Sequence, residues 1–246
     1  MIDVDGYEFV NFSRRHFPKE AVLLAEEMAI LTPGAKNRKV VFSTSKKEIK
    51  SILEKRKDII IFNPFGEDGS ILPFKTPEKG RITASWEADF PLGYTGRMFA
   101  TEHAGFIADI YAFKILEGIF GLSFKRAHFI KSDFELPSKE LILKGIKRIE
   151  FLKKEGIERA RRKGEYIRRK IKEIVEEDAV VKGTGLFTVV EFKKEKKSEK
   201  IIKKALRYGL ILEDLKNKRI GFFPSFFITD KEIEKAFFIF SSVYKR

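Results

Sequence analysis

The amino-acid sequence predicts an α/β fold followed by a smaller α+β domain towards the carboxyl terminus. In the first half of the chain, short apolar runs alternate with segments of helical periodicity. After Pro137 the pattern changes to one long helix and then a mixed tail of strands and helices. With 246 residues, of which 43% are hydrophobic, the chain can bury a sizeable core.

The amino-terminal half contains the elements of the α/β part. Its β-branched and aromatic runs favour extended backbone, whereas Gly, Pro and Asp interrupt it. Pro18 suits the first turn of one helix, and Ser45 with Glu48 is predicted to form the capping box of the next. We predict strands at residues 7–12, 39–43, 58–62 and 81–85, helices at 18–31 and 45–55, a loop at 63–79 and a turn at 91–96.

The carboxyl-terminal part is predicted to open with the long helix. Its apolar residues recur at intervals of three and four, which places them on one helical face: Ile157, Ala160, Gly164, Ile167, Ile171 and Ile174. Ser198 is predicted to cap a second helix, and Thr229 with Glu232 to form the capping box of the last. The remaining elements are predicted strands at 186–192, 210–212 and 220–222 and helices at 199–208 and 229–244.

Residue usage excludes several classes of site. The absence of Cys excludes disulfides, zinc–cysteine sites and thiol catalysis, and His16, His103 and His128 lack metal-ligand spacing. No apolar run is long enough to span a membrane and no secretory leader is recognised, so a cytoplasmic protein is expected. Abundant Lys, Arg, Glu and Ile without any Gln is typical of a hot-growing organism.

The net charge of +14 raises nucleic-acid binding as an alternative function. Much of the excess lies in residues 153–172 and 193–204, where Glu residues are interspersed as on a solvated surface. Because no recognised binding motif accompanies this charge, an acidic partner is a secondary hypothesis.

Several segments resemble, in family order, motifs of the class III aminotransferases, which depend on pyridoxal 5′-phosphate (PLP). Residues 95–103 (TGRMFATEH) are similar to the family's R-T-G-K-M-F-A-x-E-H segment, and 108–110 (ADI) to its P-D-I strand start. Further similar segments are residues 3–6, 10–12, 21–34, 159–171, 182–186, 209–210 and 223–229.

The resemblance implies a truncated PLP-transferase fold of aminotransferase fold type I, similar to that of archaeal 4-aminobutyrate and ornithine aminotransferases. Residues 13–136 would form a reduced large α/β domain, and residues 1–12 with 137–246 a small α+β domain with the connecting helix. Family chains are longer, so segments are expected to be missing after Phe12 and between about residues 69 and 81. The resemblance also implies a homodimer, or a heterodimer with an aminotransferase paralogue.

The resemblance allows each part of the PLP site to be located. The family's Schiff-base lysine falls one residue beyond Lys114, so this candidate is expected on the opposite strand face. Trp86 stands at the position of the aspartate that binds the pyridine nitrogen, and an indole can only donate. Glu87 is the neighbouring candidate, predicted to point the other way, and a gapped alignment brings in Asp89.

The phosphate-binding and substrate-binding positions are also altered. The phosphate cradle corresponds to Ser45, Lys46 and Lys47, where a lysine replaces the family's glycine; a solvated first helical turn is the alternative interpretation. Ser132 matches the residue that the partner subunit supplies. Asn63 and Pro64 replace the aromatic residue and histidine that face the cofactor ring. The substrate-carboxylate arginine corresponds to Gly221, with Arg219 two residues earlier.

These departures predict an aminotransferase-like protein without transaminase activity, which binds no cofactor and has a structural, regulatory or dimerisation role. The alternative is a PLP-binding enzyme of residual or altered activity that uses Lys114.

Overall fold

The computed structural model describes residues 18–73, 80–128, 130, 134–194 and 197–245. The chain divides into two compact units, one from residues 1–64, 72–93 and 98–154 and the other from 65–71, 94–97 and 155–246. The boundary predicted at residues 136 and 137 stays a prediction. The predicted strand at 7–12 lies outside the described residues.

The first unit is built on a five-stranded mixed sheet with the order β1-β5-β4-β3-β2. Strands β2, β3 and β4 are parallel to one another, and β5 is antiparallel to both β4 and β1. Its elements are α1 (Lys19–Leu31), β1 (Arg38–Ser43), α2 (Lys46–Glu54), β2 (Ile59–Phe62), β3 (Ile82–Pro91), β4 (Ile110–Leu116), β5 (Ile119–Lys125) and α3 (Lys139–Phe151).

One face of this sheet forms a hydrophobic core with α2. Ile49 and Leu53 of the helix are fully buried against side chains that alternate along the strands, as the two-residue period of a pleated strand requires. The strand residues of this core include Val41, Ala84, Trp86, Ala112 and Leu122. Trp86 and Ala112 pair across β3 and β4 and therefore share a face.

The second unit contains a four-stranded antiparallel sheet with the order β6-β7-β9-β8. A π-helical segment, Leu152–Gly156, precedes the first helix. The elements are α4 (Ile157–Val175), β6 (Ala179–Thr184), β7 (Phe187–Phe192), α5 (Lys197–Arg207), β8 (Glu213–Asp214), β9 (Arg219–Phe222) and α6 (Asp230–Tyr244). The predicted stripe of α4 is confirmed at Ala160, Gly164, Ile167 and Ile171, which are buried.

The structure differs from the sequence predictions at several helix starts and strand ends. Ser45 caps α2 as predicted, because its Oγ accepts from the Glu48 amide at 3.3 Å. The capping box is wrong, however, since the Ser45 amide donates to Ser43 Oγ at 2.9 Å instead of to the Glu48 carboxylate. Ser198 lies inside α5, which already includes Lys197. The predicted strand at 210–212 is wrong, because the strand is Glu213–Asp214.

Two further corrections lengthen the first sheet. The strand predicted at residues 81–85 continues as β3 to Pro91. Strand β5 was not predicted, although its residues 119–125 are apolar almost throughout. Gly118 takes φ +80° in the turn before it, a conformation that favours glycine.

Candidate functional site

Polar residues lie at or just after the carboxyl ends of four strands of the first unit, along one edge of the sheet. Because β1 is antiparallel to β5, it runs in the same direction as β4, β3 and β2. Lys46 follows β1 as the first residue of α2, Asn63 follows β2, and Asp89 and Lys114 lie near the ends of β3 and β4. The carboxyl ends of parallel strands are where α/β sheets bind ligands.

These residues are in mutual contact. The Asp89 Oδ1 atom lies 2.5 Å from Lys46 Nζ, and its Oδ2 atom accepts from Trp86 Nε1 at 3.1 Å and Asn63 Nδ2 at 3.4 Å. Lys114 Nζ donates to the Asp89 backbone carbonyl at 3.3 Å. We call this set of five residues, Lys46, Asn63, Trp86, Asp89 and Lys114, the Asp89 cluster.

Lys114 is largely buried, with 17% of its side chain exposed, and its Nζ lies 3.9 Å from the exposed Glu117 carboxylate. Burial lowers the pKa of the Lys114 amine, with a smaller lowering from Lys46, whereas Glu117 and Asp89 oppose the change. Lys114 is two residues beyond Ala112, so it lies on the Trp86 face of the sheet. Lys114 therefore shares a sheet face with Trp86, which stands at the position of the family's ring-binding aspartate. The expected reversal of face does not separate these two residues.

Asp89 reaches this face through an irregularity of β3. Glu87 pairs with Phe113, but the next paired residue of β3 is Pro91, which is opposite Lys114. Three residues of β3 thus stand between two consecutive residues of β4. In a regular strand Asp89 would share the face of Glu87, so the bulge is what turns its carboxylate towards Trp86.

Glu87 lies on the opposite face and is not part of the Asp89 cluster. It is 3% exposed and accepts hydrogen bonds from the amides of Ala100 and Thr101, from Thr101 Oγ1 at 3.0 Å and from Ser85 Oγ at 3.1 Å. Burial raises its pKa to about 7, and these hydrogen bonds oppose the rise. Glu87 therefore anchors the 3₁₀ turn Ala100–Ala104 to the sheet.

The predicted phosphate cradle is brought together only in part. Ser45 Oγ caps α2, Lys46 is held by Asp89, and Lys47 is exposed to solvent. The Glu48 carboxylate accepts from Ser43 Oγ at 2.7 Å, which places a negative charge beside the start of α2. Ser132 lies outside the described residues.

Arg219 belongs to the second unit and is 12% exposed. Its Nη2 atom donates to the carboxylate of Glu67 at 2.8 Å. Its buried Nε atom has no hydrogen-bond acceptor among the described residues.

The residues present do not fit PLP in this arrangement. The ring nitrogen needs a carboxylate, but both oxygens of Asp89 already accept from protein donors, and Trp86 only donates. The phosphate needs free donors, but Lys46 is paired with Asp89 and Glu48 adds a negative charge at the same helix start. Lys114 is the one residue whose chemistry suits the cofactor, as a partly buried amine.

Comparison with known proteins finds similarity to aminotransferases. The Aminotransferase class-III family model matches residues 137–244. This segment is thus similar to class III aminotransferases. Acetylornithine aminotransferase from Caldanaerobacter subterraneus subsp. tengcongensis is 29% identical over 170 residues, which cover 64% of this chain. The same alignment covers 43% of that enzyme, so the chain spans less than half the length of this relative.

Solved structures show the same fold over most of the chain. An ornithine aminotransferase from Plasmodium yoelii superposes with a TM-score of 0.72 at 16% identity, covering 94% of this chain and 79% of its own. A transaminase from the marine bacterium Virgibacillus superposes with a TM-score of 0.76 at 16% identity, covering 98% of this chain and 82% of its own. The fold is therefore a shortened α/β aminotransferase fold, as predicted. The Asp89 cluster lies outside the segment that the class III aminotransferase model matches.

The described residues contain no metal-binding cluster and no membrane-spanning helix. Among the described residues, no three His, Asp or Glu side chains converge as metal ligands would. In that part of the chain, no helix is both long and apolar enough to cross a bilayer. Sequence reasoning named every member of the Asp89 cluster, but only the structure joins them, because the bulge of β3 has no sequence signature.

Proposed function

We propose that this chain is an aminotransferase-like protein that has lost transaminase activity and acts through its fold, in a structural or regulatory role. The observation that carries the proposal is the engagement of Asp89. Its carboxylate accepts from Lys46 and Trp86 and so offers no ready partner to a protonated pyridine nitrogen. A single preorganised electrostatic contact contributes about 3 kcal/mol to catalysis, so loss of this one alone would slow the reaction strongly.

An amino-transfer assay tests this proposal directly. The purified chain with added PLP is incubated with panels of amino donors and 2-oxo acids, including ornithine and acetylornithine, beside an active class III enzyme as positive control. We expect no turnover above that of PLP in buffer. Turnover that requires the protein and disappears in Lys114→Ala would contradict the proposal.

A second candidate function is covalent PLP binding without transamination, and the environment of Lys114 favours it. Burial lowers the pKa of this amine, which increases the neutral, nucleophilic fraction at neutral pH. Borohydride reduction after incubation with PLP, followed by peptide mass mapping, measures attachment at each lysine. This candidate requires modification at Lys114 well above that at exposed Lys47, and equal labelling of the two rejects it.

Pairing with a second copy, or with an active aminotransferase paralogue, is the proposed structural role. Large apolar side chains are exposed in the second unit, among them Ile211 and Phe238, and they could be covered by such a partner. Light scattering coupled to size-exclusion chromatography measures the mass over a range of concentrations. We expect a dimer of the chain alone or a mixed dimer with the paralogue, and a monomer under all conditions would contradict this role.

A further inference from the structure

Hydrogen bonds join the members of the Asp89 cluster across four elements. Its residues come from the start of α2, the end of β2, the bulge of β3 and the end of β4, yet each polar side chain meets another member. The amine of Lys46 pairs with the Asp89 carboxylate, whereas that of Lys114 donates to the Asp89 backbone carbonyl and lies 3.9 Å from Glu117. The Asp89 carboxylate and the Trp86 indole N–H thus have partners within the protein itself.

Trp86 supplies the bulk of the cluster. Its side chain is 6% exposed and packs in the core beneath α2. The amines of Lys46 and Lys50 each lie 5.9 Å from the centre of its ring, within the range of cation–π attraction. The indole N–H points to Asp89, so the ring is fixed at both its face and its edge.

The bulge of β3 brings the Asp89 carboxylate into contact with the other members of the cluster. Without the unpaired residues between Glu87 and Pro91, the carboxylate of Asp89 would point to the Glu87 face. With the bulge, the Asp89 side chain binds α2 through Lys46 while its backbone binds β4 through Lys114. One residue thus joins three elements.

We propose that the Asp89 cluster is a closed structural unit that takes the place of a bound cofactor ring at this sheet edge. It holds the start of α2 and the ends of β3 and β4 together, so the first unit keeps its fold without PLP. The inference deepens the proposed loss of transaminase activity and rests on it.

The chain contains one Trp, so tryptophan emission, excited where its six Tyr residues do not absorb, reports on the cluster. In Asp89→Asn the size of the side chain is kept, but the charge that pairs with the Lys46 amine is removed. We expect a melting temperature lower by on the order of 5 °C. We also expect severalfold greater quenching of Trp86 emission by acrylamide.

Lys50→Met is the matched control. Its amine lies as far from the indole ring as that of Lys46, but it pairs with Glu54 on the helix surface at 3.8 Å. This variant loses a cation–π contact of the same distance as that of Lys46 but keeps the Lys46–Asp89 pair, so its melting temperature and quenching should change less than those of Lys46→Met. Lys46→Met should show part of the Asp89→Asn effect, and it serves in its place if that variant does not fold.

Two results would overturn the inference. One is an Asp89→Asn or Lys46→Met protein with unchanged melting temperature and quenching. The other is a parent protein whose melting temperature rises and whose Trp86 emission falls on addition of PLP. PLP binding without amino transfer would reject the closed cluster but leave the proposed function intact, whereas amino transfer would reject the proposed function.

Discussion

Two opposing effects act on the charge of Glu87. Removal from water favours the neutral carboxyl, while two backbone amides and two hydroxyl groups favour the carboxylate. The balance raises its pKa to about 7 from an ordinary value of 4.5. The folded state holds the proton more tightly than the unfolded state. The contribution of Glu87 to the free energy of unfolding is therefore greatest below pH 4.5.

Glu87 therefore predicts a specific dependence of stability on pH. Its contribution to the free energy of unfolding should fall by on the order of 3 kcal/mol as the pH rises from about 4.5 to about 7. Glu87→Gln is neutral throughout and should lack this component. Urea denaturation of both proteins at several pH values measures the difference. Parallel pH profiles of the two proteins would show that Glu87 does not titrate in this range.

Gly164 is a second residue whose environment sets a prediction. Alanine in a helix is ordinarily more stable than glycine by about 1 kcal/mol. At position 164, however, an added Cβ atom would lie 1.5 Å from the carbonyl oxygen of Gly185, where α4 meets the β6–β7 turn. We expect Gly164→Ala to lower the free energy of unfolding by several kcal/mol. Lys172→Ala, at an exposed position of the same helix, is the control.

Residue positions were predictable from the sequence where strand alternation is regular. The alternation argument correctly separates Trp86 from Glu87, which lie on opposite faces of β3. The same argument assigns Asp89 to the wrong face, because nothing in the sequence marks the bulge. The contacts of the candidate site therefore could not be derived from its residues alone.

Helix starts show, at the scale of the element, what local sequence determines. Thr229 caps α6 as predicted, with its Oγ1 accepting from the Glu232 amide at 3.2 Å and the Glu232 carboxylate accepting from the Thr229 amide at 2.7 Å. The same pattern at Ser45 fails because Ser43 competes for both partners of the box. A capping box is thus predictable only when no neighbouring hydroxyl group intervenes.

The capping box of α6 is testable by substitution. Thr229→Ala removes the acceptor for the Glu232 amide and should lower the free energy of unfolding by about 1 kcal/mol. Thr229→Ser keeps the hydroxyl group and should stay close to the parent protein. Thermal denaturation of the three proteins at one pH measures both effects, and equal losses in Ala and Ser would attribute the change to the missing methyl group instead.

At the scale of the whole molecule, the sequence predicted the α/β class and the mixed carboxyl-terminal part, since both follow from element order and periodicity. The β4–β5 hairpin was not predicted, although Glu117 and Gly118 interrupt the apolar residues at the turn between its two strands. The course of β1 beside β5 depends on pairings distant in sequence, which local patterns do not encode.

The net charge of +14 leads to a prediction for the whole chain. Exposed ion pairs such as Lys50–Glu54 contribute little, whereas self-repulsion of the excess positive charge opposes the compact state. Moderate salt screens this repulsion, so we expect the melting temperature to rise between low and physiological ionic strength. A melting temperature that falls with added salt would show that ion pairs outweigh the repulsion.

The direction of the strands has a practical consequence for handling this protein. Four of the five strands end at the edge that carries the Asp89 cluster, so the turn at Lys36 and Asn37, before β1, lies at the far edge. A fluorescent dye or a surface tether attached to a cysteine introduced in place of the exposed Lys36, in a chain that has no other Cys, would leave the cluster open to solution. Molecules immobilised in this way would all present the same edge to an added ligand.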